Sequence, residues 1–137
     1  MDASYVFRVR FRIEPAREFV SLEPNSAETT VTLSRAAPEP GTEGWLFFRN
    51  TLWRGEVADR EYGRRLAAEW LGVPERTVES VDFRELQTDE EYFDALQSAI
   101  AADLEAFKAD DVSDALSKYL GSSVRVIDTD EGDSSSH

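Results

Sequence analysis

Five side chains have the types and spacing for recognition chemistry: Arg8, Arg10 and Arg12 near the start, and Trp53 with Arg54 near the middle. The three arginines alternate with Phe7, Val9 and Phe11, so a strand there lines three guanidinium groups along one face. A row of planar, permanently charged forks suits bidentate recognition of phosphate or carboxylate. Arg35, Arg49 or Arg54 on neighbouring strands would widen it. The stripe therefore has two readings. In one it binds an anion, either nucleic acid or a phosphorylated small molecule. In the other it pairs within the molecule with glutamates on adjacent strands, such as Glu28. Opposite charges across antiparallel strands stabilise the pair, which favours the second reading. A net charge of −13, and the steep loss of phosphate affinity in salt, also weigh against nucleic acid.

Trp53 lies in residues 44–56, the most aromatic stretch of the chain, with Trp45, Leu46, Phe47, Phe48 and Leu52. These residues form either a partner-binding surface or the core, and a domain of this size needs such mass inside. If residues 45–49 form a strand, either Phe47 or its two neighbours face away from the core. A loop, the second half of the chain or another molecule must then cover that side. Leu52, Trp53 and Arg54 follow, where a strand-rich half gives way to a helix-rich one. At that joint Trp53 can pin the first helix to the sheet, and Arg54 can pair with acids of the second half.

Other chemistry is excluded by composition. The single histidine is His137, the last residue, and cysteine is absent. Histidine-dependent triads, imidazole or thiolate zinc sites and thiol nucleophiles are therefore ruled out. No P-loop or other glycine-rich phosphate fingerprint occurs. Gly121-Ser122-Ser123 follows a helix end, whereas anion sites use helix starts, so it reads as a glycine cap and polar turn. Asp110, Asp111 and Asp114, or Asp128, Asp130, Glu131 and Asp133, offer oxygen ligands for Mg²⁺ or Ca²⁺, but neither set has EF-hand spacing. In so acidic a chain they read as solvated surface. The expectation is a protein that is not an enzyme and has no cofactor and no metal site.

Twenty-eight acids face 15 bases, and only Lys108 and Lys118 are lysines. Self-repulsion at this charge destabilises a compact fold in dilute buffer. At about 1 M salt the Debye length shrinks to ~3 Å and the penalty fades. Acid excess with scarce lysine therefore points to a salt-rich cytoplasm. Residues 1–65 hold ten arginines and ten acids and are neutral; residues 66–137 carry the whole excess. No apolar run approaches the roughly 18 residues of a membrane span, and the start lacks a signal-peptide pattern. The expected location is cytoplasmic.

The elements that must position these residues follow from periodicity. Residues 5–14 alternate strictly and predict a half-buried strand stopped by Pro15. Residues 19–22 suggest a short strand and 23–26 a turn. Residues 29–34 give a strand rich in β-branched side chains, and 36–44 a loop with two prolines and two glycines. Residues 45–49 predict a third strand, although Trp45, Phe48 and Leu52 also fit a helical spacing. Asp59 is expected to cap a helix burying Tyr62, Leu66 and Trp70, with Gly63 permitting close packing and Gly72-Val73-Pro74 as its stop. Residues 78–86 predict a strand with Val81 and Phe83 inward. A capping box from Thr88 to Glu91 opens a long helix carrying Phe93, Leu96, Ile100, Leu104 and Phe107. Asp111 caps a shorter helix closed by Gly121, and residues 124–127 form a last strand.

This order gives an α+β fold: a single two-layer domain with a mainly antiparallel sheet of four to five strands and two or three helices on one face. Residues 1–127 make the domain, and 128–137 an acidic, serine-rich tail expected to be disordered.

The run from Gly44 through Phe48 into Leu52-Trp53-Arg54-Gly55, together with Lys118-Tyr119-Leu120-Gly121-Ser122-Ser123, resembles the haloarchaeal LWR-salt proteins. The resemblance covers residues 5 to about 126. It implies a halophilic archaeal source, agreeing with the charge argument, and carries no activity. The functional expectation is a non-enzymatic protein acting through protein–protein contact, with an unidentified protein partner or as a homodimer. The alternative is an anion-binding module on the arginine face. Neither reading involves a membrane.

Overall fold

In the computed structural model, which describes residues 1–13 and 27–127, the first strand takes one of the two inner positions of the main sheet. The strands are β1 (Ala3–Ile13), β2 (Ala27–Ala36), β3 (Leu52–Trp53), β4 (Glu56–Val57), β5 (Val78–Thr88) and β6 (Val124–Val126). The helices are α1 (Phe47–Thr51), α2 (Arg60–Leu71), α3 (Glu90–Ala101) and α4 (Val112–Tyr119), with 3-10 turns at Glu75–Thr77 and Leu104–Phe107. The main sheet has the order β2-β1-β5-β6; β3 and β4 form a separate hairpin. Neighbours are antiparallel except β5 and β6. The α+β class holds, with a mixed four-stranded sheet. The expected strand at 19–22, turn at 23–26 and tail at 128–137 lie outside the described residues.

β1 sorts the molecule into two sides. Tyr5, Phe7 and Val9 are buried beneath the helices, while Arg8, Arg10 and Arg12 are exposed on the other face. Its register with β2 runs unbroken from Ser4 opposite Ala36 to Ile13 opposite Ala27. Against β5 the register shifts twice, leaving Glu79 and Arg84 as extra residues. These two bulges interrupt the period-two alternation of β5. They still bring Val78, Phe83 and Leu86 onto the buried face.

Residues 47–51 correct the expected third strand: they are helical. A strand would turn Phe47 and Phe48 to opposite faces, but successive helical residues point only about 100° apart. Both can then pack inward. Phe47 packs on Tyr5 (4.9 Å between ring centroids) and Trp70 (6.1 Å), while Phe48 stacks on Phe107 (5.7 Å, 13° between planes). Trp45 closes over Phe107 at 5.8 Å. The aromatic stretch is thus largely core, joined by Leu96, Ile100, Tyr119 and Leu120.

Two further boundaries move, both of α3, while those of α2 hold. α2 starts at the expected cap, where the Asp59 carboxylate accepts from the Tyr62 N–H at 3.1 Å. It buries Gly63, Ala67 and Ala68, however, and leaves Tyr62 39% exposed. Small residues allow this close approach: a Cβ on Gly63 would lie 2.8 Å from a Val57 methyl. The Gly72 stop is present, with the Val73 N–H on the Ala68 carbonyl and Gly72 on Glu69, as a Schellman end requires. α3 is capped by Asp89, not Thr88, because Thr88 is the buried last residue of β5, paired with Ala3 and Val126. α3 also ends at Ala101 instead of continuing to Phe107. A 3-10 turn carries Phe107 onto Phe48, so tertiary packing overrides the continuous apolar spacing.

Candidate functional site

Leu52 fixes one end of the β3–β4 hairpin in the core, at 2% exposure. Trp53 pairs with Glu56, leaving Arg54-Gly55 as a two-residue loop. Both loop residues have positive φ (+53° and +83°), the signature of the type I′ turn that matches hairpin twist. Two strands of two residues cannot hold themselves together in water. α4 holds them. The Arg54 N–H donates to the Lys118 carbonyl at 2.7 Å, and the Gly55 N–H to the Tyr119 carbonyl at 3.0 Å.

A helix leaves its last carbonyls without partners. At the end of α4, Leu120 and Gly121 N–H groups take those of Leu116 and Ser117, the hairpin turn takes the next two, and Ser123 takes that of Leu120. One half of the chain therefore caps a helix of the other half with backbone alone. Glycine is needed where they meet. A Cβ on Gly121 would lie 3.0 Å from the Arg54 carbonyl oxygen, and one on Gly55 3.1 Å from that of Leu120.

Above this clasp Trp53 meets Tyr119 edge-on, at 5.9 Å and 81°, and remains 46% exposed. The Tyr119 hydroxyl donates to the Phe107 carbonyl at 3.2 Å, so the platform beneath Trp53 is itself fixed. The Arg54 guanidinium carbon stands 5.5 Å from the centre of the Trp53 ring. Trp53 thus braces α4 where α2 was expected. Arg54 stacks on an aromatic ring and forms no ion pair among the described residues.

The arginine stripe occupies a different surface, the face of β1 opposite Tyr5, Phe7 and Val9, where Arg8, Arg10 and Arg12 are exposed. Arg12 pairs with Glu79 of β5 at 2.5 Å and stands opposite Glu28 in the β2 register. Arg8 faces Thr32 and Asp82, and Arg10 faces Thr30 and Ser80. The residues expected to widen the stripe do not. Arg35 lies 5.0 Å over the ring of Trp70, and Arg49 donates to the Ala106 carbonyl at 3.2 Å. Arg8, Arg10 and Arg12 therefore do not join Trp53 and Arg54 in one site. The residues that sequence reasoning missed are Tyr119 and the Gly55–Gly121 contact. Their signals were a glycine on each side of the clasp and the joint appearance of both segments in the family resemblance.

The acids have local duties. Asp111 accepts from the Asp114 N–H at 2.7 Å to start α4, and Asp114 accepts from the Asp110 N–H at 3.1 Å. No group of three or more potential metal ligands occurs among the described residues. The Asp89 carboxylate accepts from Tyr92 N–H at 2.8 Å and Asp2 N–H at 2.9 Å, and the first of these does most to hold its pKa below the usual range. Burial, then Glu39, pushes the Tyr92 phenol up to about 12. It stays a donor, to the Pro38 carbonyl at 2.7 Å, and ties the loop before α1 to α3. A cleft of about 580 Å³ opens between that loop, Trp45, Asn50, Thr51 and Tyr62, with Glu43 as its one acidic residue. It lacks a paired acid and base.

No helix among the described residues is long and apolar enough to cross a membrane. Residues 1–130 match the family model of the LWR-salt proteins, and the chain belongs to that family. No curated protein and no solved structure matches it.

Proposed function

We propose that this LWR-salt family member is a non-enzymatic, salt-adapted cytoplasmic protein of halophilic archaeal origin that works by protein–protein contact, with Trp53 and Arg54 as its contact point. The observation carrying this reading is the backbone of Arg54. A residue other than glycine at φ +53° is strained by about 1–2 kcal/mol. Glycine would relieve that strain; arginine instead sets a charged side chain at the hairpin tip. That side chain does not fill the core; it holds its charge over an exposed tryptophan. Trp, Tyr and Arg dominate the binding energy of protein interfaces, and a pre-ordered cluster loses little entropy on docking.

The test places a photo-cross-linking residue at exposed Glu56 and exposes the full chain to haloarchaeal extract in about 2 M KCl. Discrete protein adducts are expected, lost in Trp53→Ala and Arg54→Ala variants that melt normally. Identical adducts in the variants, or none with the unsubstituted chain, would overturn the reading.

The second reading, an anion site for nucleic acid or a phosphorylated small molecule, has one observation in its favour. Arg10 stands between the hydroxyl residues Thr30 and Ser80, with Arg8 and Arg12 to either side. Replacing the three arginines with glutamine should then abolish nucleotide or nucleic-acid binding at low salt without unfolding the chain. Absence of binding by the unsubstituted chain at low salt ends this reading.

A further inference from the structure

We infer that the outer edge of β2 pairs with β2 of a second copy of this chain, antiparallel about a twofold axis, joining two four-stranded sheets into one of eight strands. The inference rests on the protein-contact reading for the kind of partner, and not on Trp53.

β2 is an edge strand of ten residues, whereas the opposite edge, β6, has three. Alternate residues of an edge strand direct N–H and C=O groups outward, a template for another strand. Proteins usually blunt such an edge with lysine, proline, a bulge or a cover. β2 contains no lysine and no proline, and its register with β1 is unbroken. Among the described residues its one extensive neighbour is β1. Residues 29–34 carry no charge, in a chain 31% charged.

The apolar layer is also unfinished there. Phe7 and Val9 are 1% and 0% exposed, yet their partners Leu33 and Val31 are only half-buried. A further strand would cover their open flank.

Charge and symmetry select a second copy as the occupant. Two chains of −13 repel, but β2 belongs to the neutral residues 1–65, so the acidic halves stay on the far sides of the joined sheet. An antiparallel strand meets itself through one self-complementary patch. With the axis at Val31, Thr30 meets Thr32, Glu28 meets Ser34 and Arg35 meets Ala27. With it at Thr32, Arg35 meets Thr29 and Glu28 meets Ala36. Neither register opposes like charges, and both set β-branched residues across from one another.

Because the chain has no cysteine, single substitutions report cleanly. The full chain is run by sedimentation velocity across micromolar concentrations in about 2 M KCl. Cysteines are then placed singly at 30, 31, 32, 33 and 34, and at Val126 on the other edge, and oxidised. A dimer is expected, with disulfide trapping that peaks at one β2 position and exceeds the Val126 rate by about tenfold, as a high local concentration requires. A monomer throughout, or a dimer trapped no faster at β2 than at Val126, overturns the inference. Trp53→Ala separates the two readings. The dimer should survive it, whereas a dimer lost in that variant and untrapped at β2 would place self-contact at the hairpin and end the β2 proposal.

Discussion

At the scale of single residues, the clasp depends on two glycines and tolerates a third. Gly121→Ala or Gly55→Ala would force a Cβ to about 3 Å from a backbone oxygen at a left-handed φ. Each is expected to lower stability by about 1–3 kcal/mol, read from urea unfolding in molar KCl. Arg54→Gly relieves strain and should leave stability within about 1 kcal/mol, while losing the cross-linked adducts. A neutral Gly121→Ala would mean that the two backbones do not touch. The sequence marks Gly121 as a helix stop and Trp53 and Arg54 as notable. It cannot show that Gly55 meets Gly121, because contact between backbones leaves no side-chain pattern. It also assigned Arg54 an acidic partner, since charge balance is visible in a sequence and the face of a neighbouring ring is not.

At the scale of elements, the alternating strands were legible and the helix ends were not. Periodicity located β1 and β2 because one face of β1 is buried and the matching face of β2 is half-buried. It failed at residues 45–49, where adjacent aromatics satisfy helix and strand alike and only the positions of Phe107 and Trp70 decide. Phe48→Ala should therefore cost about 3–5 kcal/mol, as for other buried rings. A loss under 1 kcal/mol in thermal or urea melts would contradict its central place. Thr88 and Asp89 are both good caps, and sheet pairing of Thr88 settles which one serves. Asp89 has a lowered folded pKa, so its charge-dependent contribution is present above the unfolded value of about 3.9 and is lost as pH falls through the folded value. Asp89→Asn, still able to cap, should be less stable than the unsubstituted chain at pH 7, with the gap closing toward pH 2. A constant gap in urea midpoint across that range would show that the charge plays no part.

At the scale of the molecule, a neutral, strand-rich half and an acidic, helix-rich half share one aromatic core and are clasped at Arg54-Gly55. With the excess charge confined to residues 66–137, screening should raise the unfolding midpoint steadily up to molar KCl. Unfolding on salt addition would refute the salt-adapted reading. The division of charge was plain in the sequence; the clasp that spans it was not, although both motif segments at residues 52–55 and 118–123 belong to it. Hydrogen exchange of the Arg54 and Gly55 amides tests that clasp most directly. Amides at the tip of an ordinary hairpin open freely, but these two donate to α4 and should exchange only as slowly as those of Val9 and Leu96 in the core. Exchange of Arg54 and Gly55 as fast as in an unfolded chain, with the core protected, would contradict the account.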